Sequence, residues 1–266
     1  DGVFETKGFN SYGLFAQSIG SGGGNSSTTS VGIERETGVG TPRAEERSAV
    51  FKIGIEGGLG GNSGNVNLIT LNNSKVTTND EYSHALFAQS IGGGGGNAAS
   101  QVMKVGPQRP IASLLIGGTG GTGGTSGNIL VDSNSDIFTS KTNSSGIFAQ
   151  SAGGGGGTGS DVLSGAIKSN GVNVNVGVGG IGGKGNKSGT VTVKQVGDTS
   201  TKGSDSHGIW AQSIGGGGGN AGSVIQVFAD KDSLTSFGKK SNQSAIVSVG
   251  LQGGDGGFSE KVLVEN

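Results

Sequence analysis

The chain has 266 residues, with 60 Gly, 3 Pro, no Cys, and a formal net charge of -1 from 18 basic and 19 acidic residues. That balance supplies no long-range field to attract nucleic acid or an anionic membrane, and so few prolines without Gly at every third position exclude collagen. Leu, Ile, Val and Phe fall in alternating runs, which argues against a flexible linker despite the glycine.

No run of about 18 apolar residues is present, so no stretch reads as a membrane-spanning helix. The absence of Cys rules out a disulfide framework and suits a chain that crosses a membrane unfolded. The repeat begins by residue 8 and the last strand-like run reaches the terminus, so a segment of a longer protein is expected.

One phrase organises the sequence. It appears first as Leu14-Phe15-Ala16-Gln17-Ser18-Ile19-Gly20 and again as Leu86-Phe87-Ala88-Gln89-Ser90-Ile91-Gly92. It returns as Ile147-Phe148-Ala149-Gln150-Ser151-Ala152-Gly153 and Ile209-Trp210-Ala211-Gln212-Ser213-Ile214-Gly215. The spacings are 72, 61 and 62 residues, and each copy runs into a glycine tract. Between copies lies a second pattern: an alternating run, paired glycines, then another alternating run. Its first case is Val50–Ile55, Gly57–Gly61 and Gly64–Leu68; the others begin at Leu114, Val172 and Ile246.

Val, Ile and Thr at period two predict strands with one buried face. No apolar stripe has helical spacing, and each Gly would cost a helix about 1 kcal/mol relative to Ala. Glycine suits corners, where the backbone takes positive φ or approaches another backbone closely. The expected fold is therefore all-β, a β-solenoid with glycine-rich corners and protruding loops. It forms a single unit over 1–266, with repeats at approximately 8–79, 80–141, 142–202 and 203–266. A coil of about 20 residues would make three coils per repeat, roughly thirteen in all, and a rod about 60 Å long.

Leu14, Leu86, Ile147 and Ile209 are expected to point inward with Ala16, Ala88, Ala149 and Ala211. The aromatics Phe15, Phe87, Phe148 and Trp210 then point outward or into a flanking coil. The Gln and Ser positions are expected to bond the backbone at a corner or to stack as ladders.

Unlike segments follow the glycine tracts at about 25–49, 97–112, 158–171 and 220–244. Their common place in the repeat predicts loops on one side of the rod, where repeat proteins carry binding residues. Arg35, Arg43, Arg47, Lys104, Arg109, Lys231, Lys239 and Lys240 are the candidate partner-binding residues.

Catalytic, metal and cofactor sites are not expected. Gly177–Gly182 matches G-x-G-x-x-G after a strand, but a strand-like run follows where a dinucleotide site needs a helix. His84 and His207 hold the same repeat position, which predicts a tolerated surface or corner site rather than a shared zinc site. Asp205-Ser206-His207 contains the letters of a triad, yet neighbours in one strand face opposite ways.

Ser83-His84-Ala85-Leu86-Phe87-Ala88-Gln89-Ser90-Ile91 with Gly92–Gly96, and Ser206–Ile214 with Gly215–Gly219, closely resemble repeats in passenger regions of type V secreted bacterial autotransporters. The likeness is greatest to large members from alphaproteobacteria and covers nearly the whole chain. Ala152 for Ile and Ser21 within the glycine tract depart from the phrase. The resemblance implies a right-handed parallel β-helix on or released from a Gram-negative cell surface, with a signal peptide upstream and an outer-membrane translocator barrel downstream. It implies a non-enzymatic adhesin for a host cell-surface or matrix protein. The alternatives are a released soluble ligand of a host receptor and a stalk holding a distal domain. Self-association through an edge is a further expectation.

Overall fold

The computed structural model describes residues 2–33, 48–105, 111–167, 173–229 and 244–266. Among the described residues there are strands and no helices. The first repeat carries β1 (Val3–Thr6), β2 (Leu14–Ile19), β3 (Thr28–Ile33), β4 (Ser48–Gly54) and β5 (Val66–Thr78). The second carries β6 (Leu86–Ile91), β7 (Gln101–Val105), β8 (Ile111–Ile116) and β9 (Ile129–Thr139). The third carries β10 (Ile147–Ala152), β11 (Val162–Ile167), β12 (Asn173–Val178), β13 (Val191–Gln195) and β14 (Thr199–Thr201). The last carries β15 (Ile209–Ile214), β16 (Val224–Ala229), β17 (Ser244–Val249) and β18 (Val262–Glu265).

Four stacked sheets result. The phrase strands order as β15-β10-β6-β2, all parallel, with Leu14 opposite Leu86, Leu86 opposite Ile147, and Ile147 opposite Ile209. An outgoing sheet orders as β16-β11-β7, and a returning sheet as β17-β12-β8-β4-β3. The long strands order as β1-β5-β9-β13-β18, with β14 beside β9. Every one of these pairs is parallel except β3 with β4.

Pairing corrects the expected coil length. Neighbouring rungs are whole repeats, since Phe87 lies opposite both Phe15 and Phe148. One repeat is therefore one circuit, not three, and the rungs are four to five deep. At about 4.8 Å per rung the stack is about 20 Å deep, where a rod three times longer was expected. The physical reason lies in the glycine tracts. They span the middle of each circuit with their own hydrogen bonds, so a wide, flat coil needs no short cross-section.

Within a tract, donors recur at every third residue. Gly117, Gly120 and Gly123 give their N–H groups to Val178, Ile181 and Lys184 of the next circuit. The alternate glycines bond across to the other tract: Gly121 N–H to Gly96, Gly157 N–H to Gly121, and Gly183 N–H to Gly157, each at 2.8 Å. That is the three-residue period of an extended polyproline-II-type run. Two tracts per circuit thus interleave as two layers, and only the third residue of each triplet faces out.

Close approach, not left-handed backbone, requires these glycines. A Cβ on Gly157 would lie 2.0 Å from the Gly96 carbonyl oxygen. The positive φ values fall elsewhere, at Asn10 (53°), Tyr82 (55°), Asn143 (55°) and Asp205 (53°), the same place in four repeats, and at Asn73 (67°). At the four shared positions the chain turns from the long sheet into the next phrase, whereas Asn73 sits at the register shift within β5, between Thr70 and Ser74. Thr78 Oγ1 donates to the Ser83 carbonyl at 2.6 Å, as Thr201 does to Ser206 at 3.0 Å. Ser83 Oγ accepts the Ser11 N–H and donates to the Gly8 carbonyl, both at 3.0 Å, which ties each turn to the preceding one.

Leu86, Ala88, Ile147 and Ala149 are fully buried against Val76, Ile129, Val131, Ile137, Val191 and Val193. Leu14, Ala16, Ile209 and Ala211 pack on the same cluster, so the inward set is the one the alternation predicts. Beyond the glycine layers a smaller cluster joins Met103, Leu115 and Val162 between the outgoing and returning sheets.

Candidate functional site

Two surfaces stand out. The first is the outer face of the phrase sheet. Phe15 stacks on Phe87 at 4.9 Å and 10°, and Phe87 on Phe148 at 4.9 Å and 9°. Trp210 turns across the column, 5.5 Å from Phe148 at 66°. In-register parallel strands bring like residues together at rung spacing, so the rings offer faces to one another and edges to solvent.

A second row runs alongside. Tyr12 stacks on His84 at 5.8 Å, and His84 lies 5.2 Å from Phe148. His207 meets Trp210 edge-on at 5.0 Å. His84 Nδ1 accepts the Ser145 N–H at 2.9 Å, and burial holds its pKa below the usual histidine value. On the far side the Gln17 amide donates to Gln89 at 2.5 Å, and Gln89 to Gln150 at 2.6 Å. The phrase serine faces inward instead. Ser151 Oγ accepts the Gly189 N–H at 2.8 Å and donates to the Gly127 carbonyl at 2.9 Å. Of the two roles expected for the polar positions, Gln takes the ladder and Ser the backbone.

The second surface is the edge between the outgoing and returning sheets. The described chain leaves at Ile33, Val105, Ile167 and Ala229 and re-enters at Ser48, Ile111, Asn173 and Ser244. β7, β11 and β16 pair with one another, as do β4, β8, β12 and β17, so three of the four departures and all four returns stack along one side. In the first circuit departure is from β3, which pairs with β4 instead.

Arg35, Arg43, Arg47, Arg109, Lys231, Lys239 and Lys240 lie outside the described residues. Lys104 belongs to β7 through its backbone, opposite Gly165, and its side chain lies outside the description.

Chemistry at the remaining candidates is already committed. Gly179 and Gly182 give their N–H groups to Val249 and Gln252, and Gly180 gives its own to Ser160, so none is free to cradle a phosphate. Ser206 Oγ donates to the Lys141 carbonyl at 2.9 Å and accepts the Ser144 N–H at 3.0 Å, the turn role of Ser83. His84 and His207 lie two circuits apart, with Ser145 between them in the row. Among the described residues no group of three His, Cys, Asp or Glu could hold a metal ion.

Two structural devices escaped the sequence reading. One is Thr-x4-Ser at residues 6 and 11, 78 and 83, 139 and 144, and 201 and 206, a recurrence visible in the sequence. The other is the triplet Gly-Gly-x, whose period of three gives the tracts two packed faces and one free face.

No family model matches the chain, and no curated protein matches it. Among solved structures, the springtail antifreeze protein from Granisotoma rainieri, a nine polyproline type II helical bundle, is 17% identical. The comparison covers 78% of this chain and 94% of that one, with a TM-score of 0.12. At that score the likeness carries no argument.

Proposed function

We propose that this chain is the passenger of a bacterial autotransporter, exported through an outer-membrane translocator barrel, and that it binds a host cell-surface or matrix protein without catalysis. The carrying observation is the alignment of chain departures along one edge of a hydrogen-bonded stack. A rigid platform with unlike inserts at one edge suits recognition, where loops supply specificity and the scaffold supplies position. The close resemblance of the four phrases to autotransporter passengers supports export and surface display. The solenoid is read as right-handed, the hand that parallel strand crossovers adopt in about 98% of cases. Its glycines ease the corners as well as the straight tracts.

Arg35, Arg43, Arg47, Lys104, Arg109, Lys231, Lys239 and Lys240 are the proposed contact residues. The test deletes 34–47, 106–110, 168–172 and 230–243 one at a time and measures attachment to host cells and matrix. Loss in at least one variant with an unchanged β-sheet spectrum is expected. Full attachment by all four would overturn a loop-borne site and favour a stalk. A passenger freed from its barrel that alone alters host cells would point to a soluble ligand.

A further inference from the structure

We infer that the outer face of the returning sheet is a docking surface for a second copy of this chain, packed face to face about a two-fold axis.

Alternation in this sheet sends Ser113, Leu115, Asn175 and Gly177 to the buried side. The outward set is then Ala112, Leu114 and Ile116 on β8, with Val174, Val176 and Val178 on β12. Register aligns them in three rows: Ala112 with Val174, Leu114 with Val176, and Ile116 with Val178. β4 and β17 extend two of the rows through Phe51, Ile53, Val247 and Val249, all exposed. β8 and β12 each have a strand on both sides, so this face runs along the flank of the stack and does not depend on either end.

Among the described residues, no outward side chain of β4, β8, β12 or β17 carries a polar group. The long sheet is built differently. There Lys194 stands beside Asp132 and reaches Glu265 at 3.6 Å, and Lys75 stands beside Asp136. On the phrase sheet the Gln ladder interrupts the apolar rows. In the returning layer charge reappears only beyond the strands, at Glu56 and at the Lys184–Asp255 pair, 3.4 Å apart. A parallel sheet is ordinarily covered on both faces, and a contiguous apolar patch of this kind marks an interaction surface.

Three features select a second copy as the occupant. The face is neutral, so it offers nothing to a charged partner or to an anionic membrane. The inserts at its edge have the wrong composition to cover it: seven of the fourteen residues of 34–47 are charged, as are five of the fourteen of 230–243. The face also tapers, from Ala112 and Ala245 on one side to Ile116 and Val249 on the other. A two-fold axis along the Leu114–Val176 row lays the low row of each copy on the tall row of the other, with the middle rows in contact, at about the 10 Å spacing of packed sheets. Four strands by five residues cover about 19 by 17 Å, a footprint of about 300 Å² per copy. Doubled, that falls below the roughly 1,200 Å² of a permanent complex, so the dimer is reversible. Edge pairing would use backbone groups instead, and this contact leaves every ladder bond intact.

The test is sedimentation equilibrium of the parent protein at concentrations up to about 1 mM. A reversible monomer–dimer equilibrium without larger species is expected. Val176→Lys puts an unpaired charge in the middle of the face, and should raise the concentration of half-dimerisation more than about tenfold with an unchanged β-sheet spectrum. Leu163→Lys, on the outer face of the outgoing sheet, should leave it unchanged. Because the chain has no Cys, a mixture of Ala112→Cys and Ile116→Cys variants should form the mixed disulfide faster than either forms its own, which reads the contact even where Val176→Lys fails to fold. A parent that stays monomeric throughout, equal dimerisation by Val176→Lys, or no preference in the cross-link would overturn the inference. Binding of the parent to neutral phosphatidylcholine vesicles that Val176→Lys abolishes would overturn it too, and would assign the face to a lipid surface.

Discussion

Gly157 and Gly155 are two residues apart in one tract, yet alanine should act in opposite directions at them. At Gly157 the new Cβ would lie 2.0 Å from the Gly96 oxygen, 2.6 Å from its carbon and 2.9 Å from the Gly95 oxygen. All three are backbone, so no side chain can swing aside. Relief needs a shift of about 1 Å. That disrupts the Gly157 N–H bond to Gly121 and the Gly183 N–H bond to Gly157, both 2.8 Å. Two bonds at about 1 kcal/mol each, with about 1–3 kcal/mol for overpacking, give a loss of about 3–5 kcal/mol. Against the roughly 5–15 kcal/mol that holds a typical domain together, this is a large fraction. At Gly155 the nearest atom is the Gly217 oxygen at 3.5 Å, an ordinary contact, and the backbone is not left-handed. Alanine there restricts the unfolded chain and should add about 0.4–1 kcal/mol. Urea unfolding of both variants at unchanged m-value reads the difference. Equal midpoints, or a Gly157→Ala midpoint matching the parent, would refute close packing as the reason for the tracts.

Ser151→Ala removes a buried hydroxyl that accepts the Gly189 N–H and bonds the Gly127 carbonyl, so a loss of about 1–3 kcal/mol by urea unfolding is expected. His84 supplies a pH dependence. Its folded pKa is lowered by burial, so the unfolded state takes up the proton first as pH falls below the ordinary value of 6.5. Its stabilising contribution is full above that value and declines as pH drops through the folded pKa. Melting temperatures compared at neutral and mildly acidic pH should therefore fall more for the parent than for His84→Phe, which keeps the ring stack but cannot be protonated; equal falls would count against this.

The phrase sheet was legible because strict period-two alternation over six residues fixes which neighbours share a face, and Leu, Ile and Ala are the residues that fill a narrow interior. The rings followed by the same alternation, with like residues in register. Circuit length was not legible. A strand and a glycine run carry no mark of how far the chain travels before it returns, and Phe15 and Phe87 show their pairing only once the structure sets them side by side. The conspicuous charges at Arg35, Arg43, Arg109 and Lys239 suggested an edge site, and the topology brings the chain to that edge without describing those residues.

The two halves of each circuit differ in what holds them. Between the phrase and long sheets the buried residues are mainly Leu, Ile, Val and Ala, with serines tied to the backbone. Between the outgoing and returning sheets the interior includes Gln101, Ser164, Asn175 and Gln226, and among the described residues the Gln101 amide, Ser164 Oγ, Asn175 Nδ2 and Gln226 Oε1 have no hydrogen-bond partner; in the long sheet Ser135 Oγ, Gln195 Oε1 and Thr199 Oγ1 have none either. Each unpaired buried group costs about 1–3 kcal/mol. The apolar cluster of the outgoing half is also the smaller, so that half is the weaker one, joined to the stronger by glycine layers whose bonds are mainly backbone. Local opening starts where buried apolar contacts are fewest.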